Sequence, residues 1–444
     1  MDADYTALID ETITTFAKAI LTGERHLRER GLDVDRDVLD LMRRVGHGIV
    51  QHVLNALAAE VCAEAVQQDP ELVVQRREDI ALEGIFGPLT VESPYLWAPG
   101  RGGRRPVRTA LELRHGQRST AVHRALTDFG AEESFGQASA RFAEHYGWAV
   151  GRTSVLRLVE GVAREAQSYV EQRLQAMRSD FDTPVAQRPG CDRILVELDG
   201  CEIRTGQLVP RPGRARTPVR RNRRRRRQEQ WRDVRVGLVR RPEEVERTAV
   251  ARLGPYAEVT EQMFSAAVGR GLSSRTQVIG VGDGGIGLPE ALEEKFPGML
   301  YVLDRPHMKS HLYDTAEALG YEADAREAWV HVRIDLMDCG SAGIALGKLR
   351  AELTATGNER LRQLVKHTER CRNSVHYARD RQLGLPTGSG EVESAHRSIP
   401  QKRLKLPGAC WHPQTINPML ALRVLRANGW WKDFWQQRAA RTAA

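Results

Sequence analysis

Three short apolar runs in the second half of the chain each lead into an acidic residue. They read CDRILVELDG over 191–200, TQVIGVGDGG over 276–285 and MLYVLD over 299–304, and helical spacing follows each of the last two. Short runs rich in valine, isoleucine and leucine are typical of buried strands, and their alternation with helices predicts an α/β core. The alternating run WRDVRVGLVRR over 231–241 predicts a further strand of this core.

The rest of the chain divides where the periodicity changes. Residues 1–115 are predicted to be mainly helical, apart from a β-hairpin near 80–98 where glycines separate two β-prone runs. Residues 116–185 predict a helix-turn-helix-like region, and residues 321–386 are helical, polar and arginine-rich. The block GSGEVESA over 388–395 predicts a flexible loop that opens a short helix, which Pro400 is expected to end.

Apolar residues in the first 65 positions recur at helical spacing in two stretches. We expect packing against the rest of the N-terminal region to bury these two faces, which comprise Ile9, Ile13, Phe16 and Ile20, and Val38, Met42, Val45, Ile49 and Val53.

The composition argues against two classes of protein. No run approaches the ~20 apolar residues that a membrane-spanning helix needs, and the first residues lack the basic start of a secretory signal. The six cysteines form no CxxC pair, which indicates reduced thiols rather than a disulfide framework or a zinc ribbon. We therefore expect a cytoplasmic protein that is not associated with a membrane.

The positive charge is concentrated in one segment. The formal net charge is +8, and residues 211–227 alone hold ten arginines and no acidic residue. A block of like charge between two predicted strands fits either a flexible loop that binds phosphate groups or a solvated insertion without a role. The first interpretation makes seven arginines candidates for contacts to DNA: Arg220, Arg221, Arg223, Arg224, Arg225, Arg226 and Arg227.

A second candidate DNA-binding element lies around Gly147, where a short turn joins two predicted helices. Thr153 is expected to cap the second helix. In a helix-turn-helix this second helix enters a groove of DNA, and its first residues contact base edges. The residues in that position are Arg152, Thr153, Ser154 and Arg157. Helical hairpins are also common as structural elements, so both interpretations stay open.

Three acidic residues are placed where a metal-dependent active site could form. Asp199 and Asp283 follow buried strands, and Glu393 lies in the first turn of the helix that follows Gly-Ser-Gly. Carboxylates at strand ends of an α/β sheet point into the crevice where ligands bind. Several carboxylates at one point repel one another, and a shared Mg²⁺ relieves the repulsion. Two such ions about 4 Å apart can activate a water or a 3′-hydroxyl for phosphodiester cleavage.

Two longer strings resemble a known family. GVGDGGIGLPEALEEKFPGMLYVLDRPHMKSHL, over 280–312, resembles the second-aspartate block of Mutator-like DDE transposases. RQLGLPTGSGEVESAHRSIPQKRLKLPGACW, over 381–411, is similar to the glutamate block of bacterial insertion-sequence transposases of the ISKra/ISLre type. VELDG with WRDVRVG fits the first block, and the resemblance spans roughly residues 80–435.

The resemblance implies an RNase H-like catalytic core, a mixed sheet with flanking helices in two parts, 191–320 and 387–435. A helical insertion over 321–386 would separate the two parts, and a mainly helical DNA-binding region would precede them. Asp199, Asp283 and Glu393 would hold two Mg²⁺ ions, with Mn²⁺ as the expected substitute. Glu391 would fill a variable position of the glutamate motif.

The implied activity is that of a DDE transposase, which binds terminal inverted repeats and joins freed 3′-hydroxyls to target DNA. A homodimer or higher oligomer is expected on double-stranded DNA, in the bacterial cytoplasm and associated with the nucleoid. Two alternatives remain, namely another RNase H-like nuclease such as a resolvase, or a non-catalytic DNA-binding protein derived from a transposase.

The sequence departs from the family at two points. The arginine run is longer than the family leads us to expect, and the string LDRPH places Asp304 and His307 where Mutator-like relatives often carry Cys and His. Asp304 is therefore an alternative to Asp283 as the second catalytic aspartate. His307 could orient a phosphate or a carboxylate, or it could stabilise the start of its helix.

Overall fold

The structure is a computed structural model that describes residues 11–18, 33–179, 190–210 and 225–443. Within these residues the chain is a mixed α/β protein whose strands pair in both parallel and antiparallel fashion. It divides into two compact units, and each is described by itself. The first comprises Met1–Phe129 and Gly136–Val155, and the second comprises Gly130–Phe135 and Leu156–Ala444.

The first unit contains one long helix and two small three-stranded sheets, with strand orders β1-β4-β5 and β3-β2-β6. Strands β2 and β3 pair antiparallel where the sequence predicts a hairpin. The elements that lie in this unit, wholly or in part, are α1 (residues 11–18), α2 (Val34–Gln68), β1 (Val73–Arg76), β2 (Asp79–Gly84), β3 (Gly87–Glu92), β4 (Tyr95–Ala98), β5 (Gly102–Arg104), α3 (Pro106–Ala110), β6 (Gln117–Arg118), α4 (Thr120–Glu132), α5 (Phe135–Tyr146) and α6 (Arg152–Ser179).

Helix α2 exposes the apolar face that we expected packing to bury. The helix itself is present, but Val38, Met42, Ile49 and Val53 are between 38% and 58% exposed. The prediction of burial is wrong because α2 turns a different face, which includes Val50, Leu54 and Val61, toward the core of β2 and β3. Of the first predicted face, Ile9 and Ile20 lie outside the described residues.

By length and composition, α2 is the one helix among the described residues that could cross a membrane. In the most apolar 18-residue stretch of α2, only 6% is buried. Asp40, Arg43 and Arg44 interrupt its first third, and a single helix of this kind is weak evidence for a membrane span.

The second unit is built on a five-stranded mixed sheet with the order β11-β10-β7-β8-β9. Strands β7, β8 and β9 are antiparallel neighbours, whereas β10 and β11 run parallel to β7. The strands are β7 (Arg193–Pro210), β8 (Arg225–Arg240), β9 (Arg247–Leu253), β10 (Gln277–Gly282) and β11 (Leu300–Leu303).

Helices cover the sheet of the second unit. They are α7 (Tyr256–Gly269), α8 (Leu288–Lys295), α9 (Arg305–Ala318), α10 (Ala323–Asp338), α11 (Ala342–Thr356), α12 (Glu359–Arg370), α13 (Tyr377–Gln382), α14 (Gly390–His396), α15 (Lys402–Leu404), α16 (Pro413–Ala427) and α17 (Trp431–Ala443), with a 3₁₀ turn at Arg372–Ser374. The segment over 321–386 contributes α10 to α13, whose apolar residues share one core with α9 and the parallel strands.

Strand β9 is an edge strand that the sequence analysis did not predict. Its exposed backbone groups are bound by two asparagines on or next to α16. Asn417 accepts a hydrogen bond from the N–H of Leu253, and Asn428 accepts one from the N–H of Ala249, both at 2.7 Å. These contacts satisfy backbone groups that would otherwise offer a free edge for pairing.

Strands β7 and β8 continue beyond the rest of the sheet as a two-stranded ribbon. Their pairing extends from Leu195 opposite Arg240 to Pro210 opposite Arg225, whereas β9 pairs with β8 only as far as Val234. Arg225, Arg226 and Arg227, the described residues of the arginine run, therefore lie at the far end of this ribbon.

The helix that begins at Gly390 does not end at Pro400. A π-helical turn, Arg397–Gln401, joins α14 to α15, and Pro400 lies inside it. The predicted stop is wrong because the wider π-helical turn tolerates a proline, which has no backbone N–H to donate. Val392, Ala395 and Ile399 form a buried stripe on this helix, at most 3% exposed.

Candidate active site

Asp199 lies within β7 and faces α14. The prediction that it follows the end of a buried strand is wrong, because β7 continues past Asp199 to Pro210 as part of the ribbon. Its side chain is 20% exposed, and one carboxylate oxygen is 3.5 Å from Nε2 of His396. Burial raises the pKa of the Asp199 carboxyl; His396 opposes the shift, and the nearby charge of Asp283 adds to it. Asp199 and Asp283 are therefore close enough to repel each other.

Asp283 follows the last residue of β10 and is partly exposed. Its Oδ1 accepts a hydrogen bond from the N–H of Gly285 at 2.8 Å. Gly284 has a φ of +70°, and a Cβ there would lie 2.6 Å from Leu303 and 2.9 Å from the sulfur of Cys371. Only glycine fits this turn without strain. The close approach explains the Asp-Gly pair that the sequence shows.

Glu393 and Glu391 point to opposite sides of α14. Glu391 forms a two-pronged ion pair with Arg240, at 2.6 and 3.1 Å, and lies 3.5 Å from Arg247. Glu393 is 3.9 Å from Nδ1 of His307 instead, and its side chain is 45% exposed. Glu393 is thus the glutamate on the side of β11 and α9, with a carboxylate open to a ligand.

Asp304 is completely buried at the start of α9, which it caps by accepting a hydrogen bond from the N–H of His307 at 2.8 Å. Its other oxygen accepts hydrogen bonds from the N–H of Ser389, at 2.7 Å, and from the Ser389 hydroxyl. Ser389 is only 3% exposed, so the Gly-Ser-Gly loop is held in place and our prediction of a flexible loop is wrong.

Among the described residues, Asp304, His307 and Glu393 form a close group of potential metal ligands. One ligand atom of each residue lies within 4.8 Å of the other two. Asp199, Asp283 and Glu393 are not gathered as tightly. Glu393 lies 3.9 Å from Nδ1 of His307, and the charges of His307 and Asp283 both act on Asp199. The three predicted carboxylates and both accessory candidates therefore belong to one region.

Two residues of this region escaped the sequence analysis. Glu197 is 2% exposed, and burial raises the pKa of its carboxyl to about 7. His396 is 3% exposed, and burial lowers the pKa of its imidazole. The spacing of Glu197 and Asp199 was an available signal, because alternate residues of a strand share a face.

His367 should make the stability of the folded protein depend on pH in the acid range. Burial, together with His311 and Arg370, lowers the pKa of His367 to about 4, and Arg370 lies within hydrogen-bond distance of Nδ1. Below pH ~6.5 His367 is protonated in the unfolded chain, whereas in the folded chain it stays neutral down to about pH 4. The free energy of unfolding therefore falls as the pH drops through this range. Across this window the wild type should lose about 2–3 kcal/mol more than His367→Gln in chemical denaturation. Parallel curves for the two proteins would contradict this prediction.

The predicted DNA-binding residues belong to two segments of the chain, which are described in turn. Arg220, Arg221, Arg223 and Arg224 are outside the described residues, and Arg225 begins β8. Arg226 and Arg227 are exposed on the ribbon. On α6, Arg152, Thr153 and Arg157 are exposed and Ser154 is half-buried. Helix α6 begins at Arg152, so the prediction of Thr153 as its cap is wrong. Gly147, at φ +77°, follows the end of α5 as expected.

No family model and no curated protein matches the chain. The resemblance of residues 280–312 and 381–411 to transposase motifs therefore stays a prediction from the sequence.

Proposed function

We propose that this protein is a DDE transposase of a bacterial insertion sequence. The observation that supports it best is the convergence of three carboxylates from distant parts of the chain. Asp199 comes from β7, Asp283 follows β10, and Glu393 is delivered by α14 after the helical segment over 321–386. The charges of Asp283 and His307 act on Asp199, and His307 lies 3.9 Å from Glu393.

The sheet of the second unit supports an RNase H-like core for this activity. Three antiparallel strands followed by two parallel ones, flanked by helices, form the mixed sheet that such a core requires. Asp199 lies on β7 and Asp283 directly follows β10, and these two strands are neighbours in the sheet.

The donor set fits Mg²⁺. A divalent cation relieves the repulsion between Asp199 and Asp283, and carboxylate oxygens are its preferred protein ligands. Asp304 is less suitable, because three hydrogen bonds occupy its buried carboxylate. We therefore assign Asp199, Asp283 and Glu393 to two Mg²⁺ ions, for which Mn²⁺ should substitute. When bound, such ions lower the pKa of an attacking water or 3′-hydroxyl and stabilise the leaving oxygen.

Other side chains of the protein would orient Glu393 and bind the DNA. Glu393 is exposed enough to reach a DNA backbone, and His307 lies where it can orient Glu393. The ribbon and its arginines offer a sequence-independent contact to phosphates, whereas the start of α6 offers side chains for reading bases. Terminal inverted repeats and target DNA are the proposed partners, bound by a homodimer or higher oligomer.

The direct test is incubation of the purified protein with DNA that carries the ends of the element that encodes it. We expect Mg²⁺-dependent nicking at those ends and joining of the 3′-hydroxyl to a second duplex, with EDTA abolishing both. Cleavage of branched DNA without joining would indicate a resolvase-type nuclease. Specific binding without cleavage would indicate a non-catalytic DNA-binding protein.

The arginine run should contribute affinity without sequence preference. Replacing Arg223 to Arg227 by glutamine should weaken binding to all duplexes alike and reduce the salt dependence, by roughly 0.9 in log–log slope per lost phosphate contact. The matched lysine variant keeps the charge and should retain the slope. Fluorescence anisotropy at several salt concentrations measures both. An unchanged slope in the glutamine variant would make the run a solvated insertion.

A further inference from the structure

We propose that Glu197 is a positioning residue of this site, because from β7 it fixes the start of α14, the helix that carries Glu393. The catalytic consequence rests on the proposed function, whereas the effect on the helix does not.

The contact is direct and buried. Oε2 of Glu197 accepts a hydrogen bond from the N–H of Val392 at 2.8 Å, and Glu197 is 2% exposed. N–H groups in the first turn of a helix have no partner within the helix itself. Glu197 supplies that partner from 195 positions away in the sequence, immediately beside Glu393.

The same contact sets the register of α14 on β7. Glu197 and Asp199 lie on one face of the strand, about 6.6 Å apart. Val392 and His396 are four residues apart on the helix, which is about 6 Å along the axis. Glu197 binds the first of these helical residues, and Asp199 lies 3.5 Å from the second. Loss of the Glu197 contact would therefore let Glu393 shift relative to Asp199.

A second buried carboxylate supports the same helix end. Asp304 binds the N–H and the hydroxyl of Ser389, the residue before α14. Arg240 holds Glu391 on the outer side of the first turn. Glu197 differs from these two contacts because it lies on β7, the strand that also carries Asp199.

The experiment compares Glu197→Gln, which keeps an oxygen acceptor, with Glu197→Leu, which has no acceptor. Hydrogen–deuterium exchange of the peptide over 388–396 should be faster in Glu197→Leu and like the wild type in Glu197→Gln. At saturating DNA, the maximum rate of Mg²⁺-dependent cleavage should fall about 10–100-fold in Glu197→Leu, with the half-saturating DNA concentration unchanged. Glu197→Gln should restore the rate.

Thr205→Val is the matched control, because it also removes a buried hydrogen bond from β7, at 2.7 Å to Gln230, without touching α14. It should leave both exchange and maximum rate unchanged. Unaltered exchange in Glu197→Leu, or an equal loss of rate in Thr205→Val, would overturn the proposal. If Glu197→Leu does not fold, Glu197→Asp takes its place in the experiment. A hydrogen exchange and a cleavage rate equal to those of the wild type in Glu197→Asp would also overturn the proposal. A wild type without cleavage would refute the proposed function and leave the exchange result to decide the positioning role.

Discussion

Asp199→Asn and Asp283→Asn should each abolish cleavage of DNA that carries the element ends, by about 10³-fold or more, the scale on which loss of a catalytic group is felt. Each change removes a charged metal ligand at constant size. Both side chains are only partly buried, and each makes a local hydrogen bond to the backbone that an amide oxygen can also accept. Affinity for the ends, measured by gel shift in Ca²⁺ or EDTA, should therefore remain close to that of the wild type.

Asp304→Asn is the informative comparison, because Asp304 is the alternative second aspartate. Both of its oxygens accept hydrogen bonds, from His307 and Ser389. An asparagine would turn a donor toward one of these donors, which should cost about 1–3 kcal/mol of folding free energy. We expect a lower melting temperature with residual cleavage. If Asp283→Asn cleaves normally and Asp304→Asn is inactive but fully stable, Asp304 is the catalytic residue.

The strands of the central sheet could be predicted where the apolar run was short and continuous, as in β10 and β11. Strand β9 was missed because its arginines at 247 and 252 interrupt the pattern, and asparagines of α16 complete its edge. The apolar face of α2 shows a second limit of prediction from the sequence. Helical spacing identified the helix, but spacing alone does not reveal which of two apolar faces meets the core.

The candidate site could be predicted only in part for a related reason. An acid that follows an apolar run is visible in the sequence, and both aspartates were found this way, although only Asp283 lies at a strand end and β7 continues beyond Asp199. The contacts that organise the site join residues far apart in the chain, such as Glu197 with Val392 and Asp304 with Ser389. Local spacing carries no information about such pairs, so a buried carboxylate that supports a helix resembles any other acid in the sequence.

Glu393→Gln should be inactive, whereas Glu391→Gln should keep most of the cleavage activity. Two positions along a helix differ by about 200° around its axis, so only one of the glutamates can face the aspartates. Helix geometry alone does not choose between them, and the motif resemblance favours Glu393. The contacts support the same choice, because Arg240 and Arg247 engage Glu391, whereas Glu393 lies beside His307.

The two variants should also differ in stability, in the opposite sense to activity. Glu391→Gln removes the charge partner of Arg240, which is 17% exposed, and should cost about 1 kcal/mol, since the pair is partly open to solvent. Glu393 makes no hydrogen bond through its side chain to any described residue that would be lost, so Glu393→Gln should melt within about 0.5 kcal/mol of the wild type.

Paired measurement of Mg²⁺-dependent cleavage and thermal melting therefore separates a catalytic role from a structural one. An inactive but stable Glu393→Gln, beside an active but weakened Glu391→Gln, is the expected result. The reverse pattern would assign catalysis to Glu391 and make Glu393 a surface residue. If both variants cleave at the wild-type rate, no glutamate of α14 takes part in the chemistry, and the DDE assignment itself is wrong.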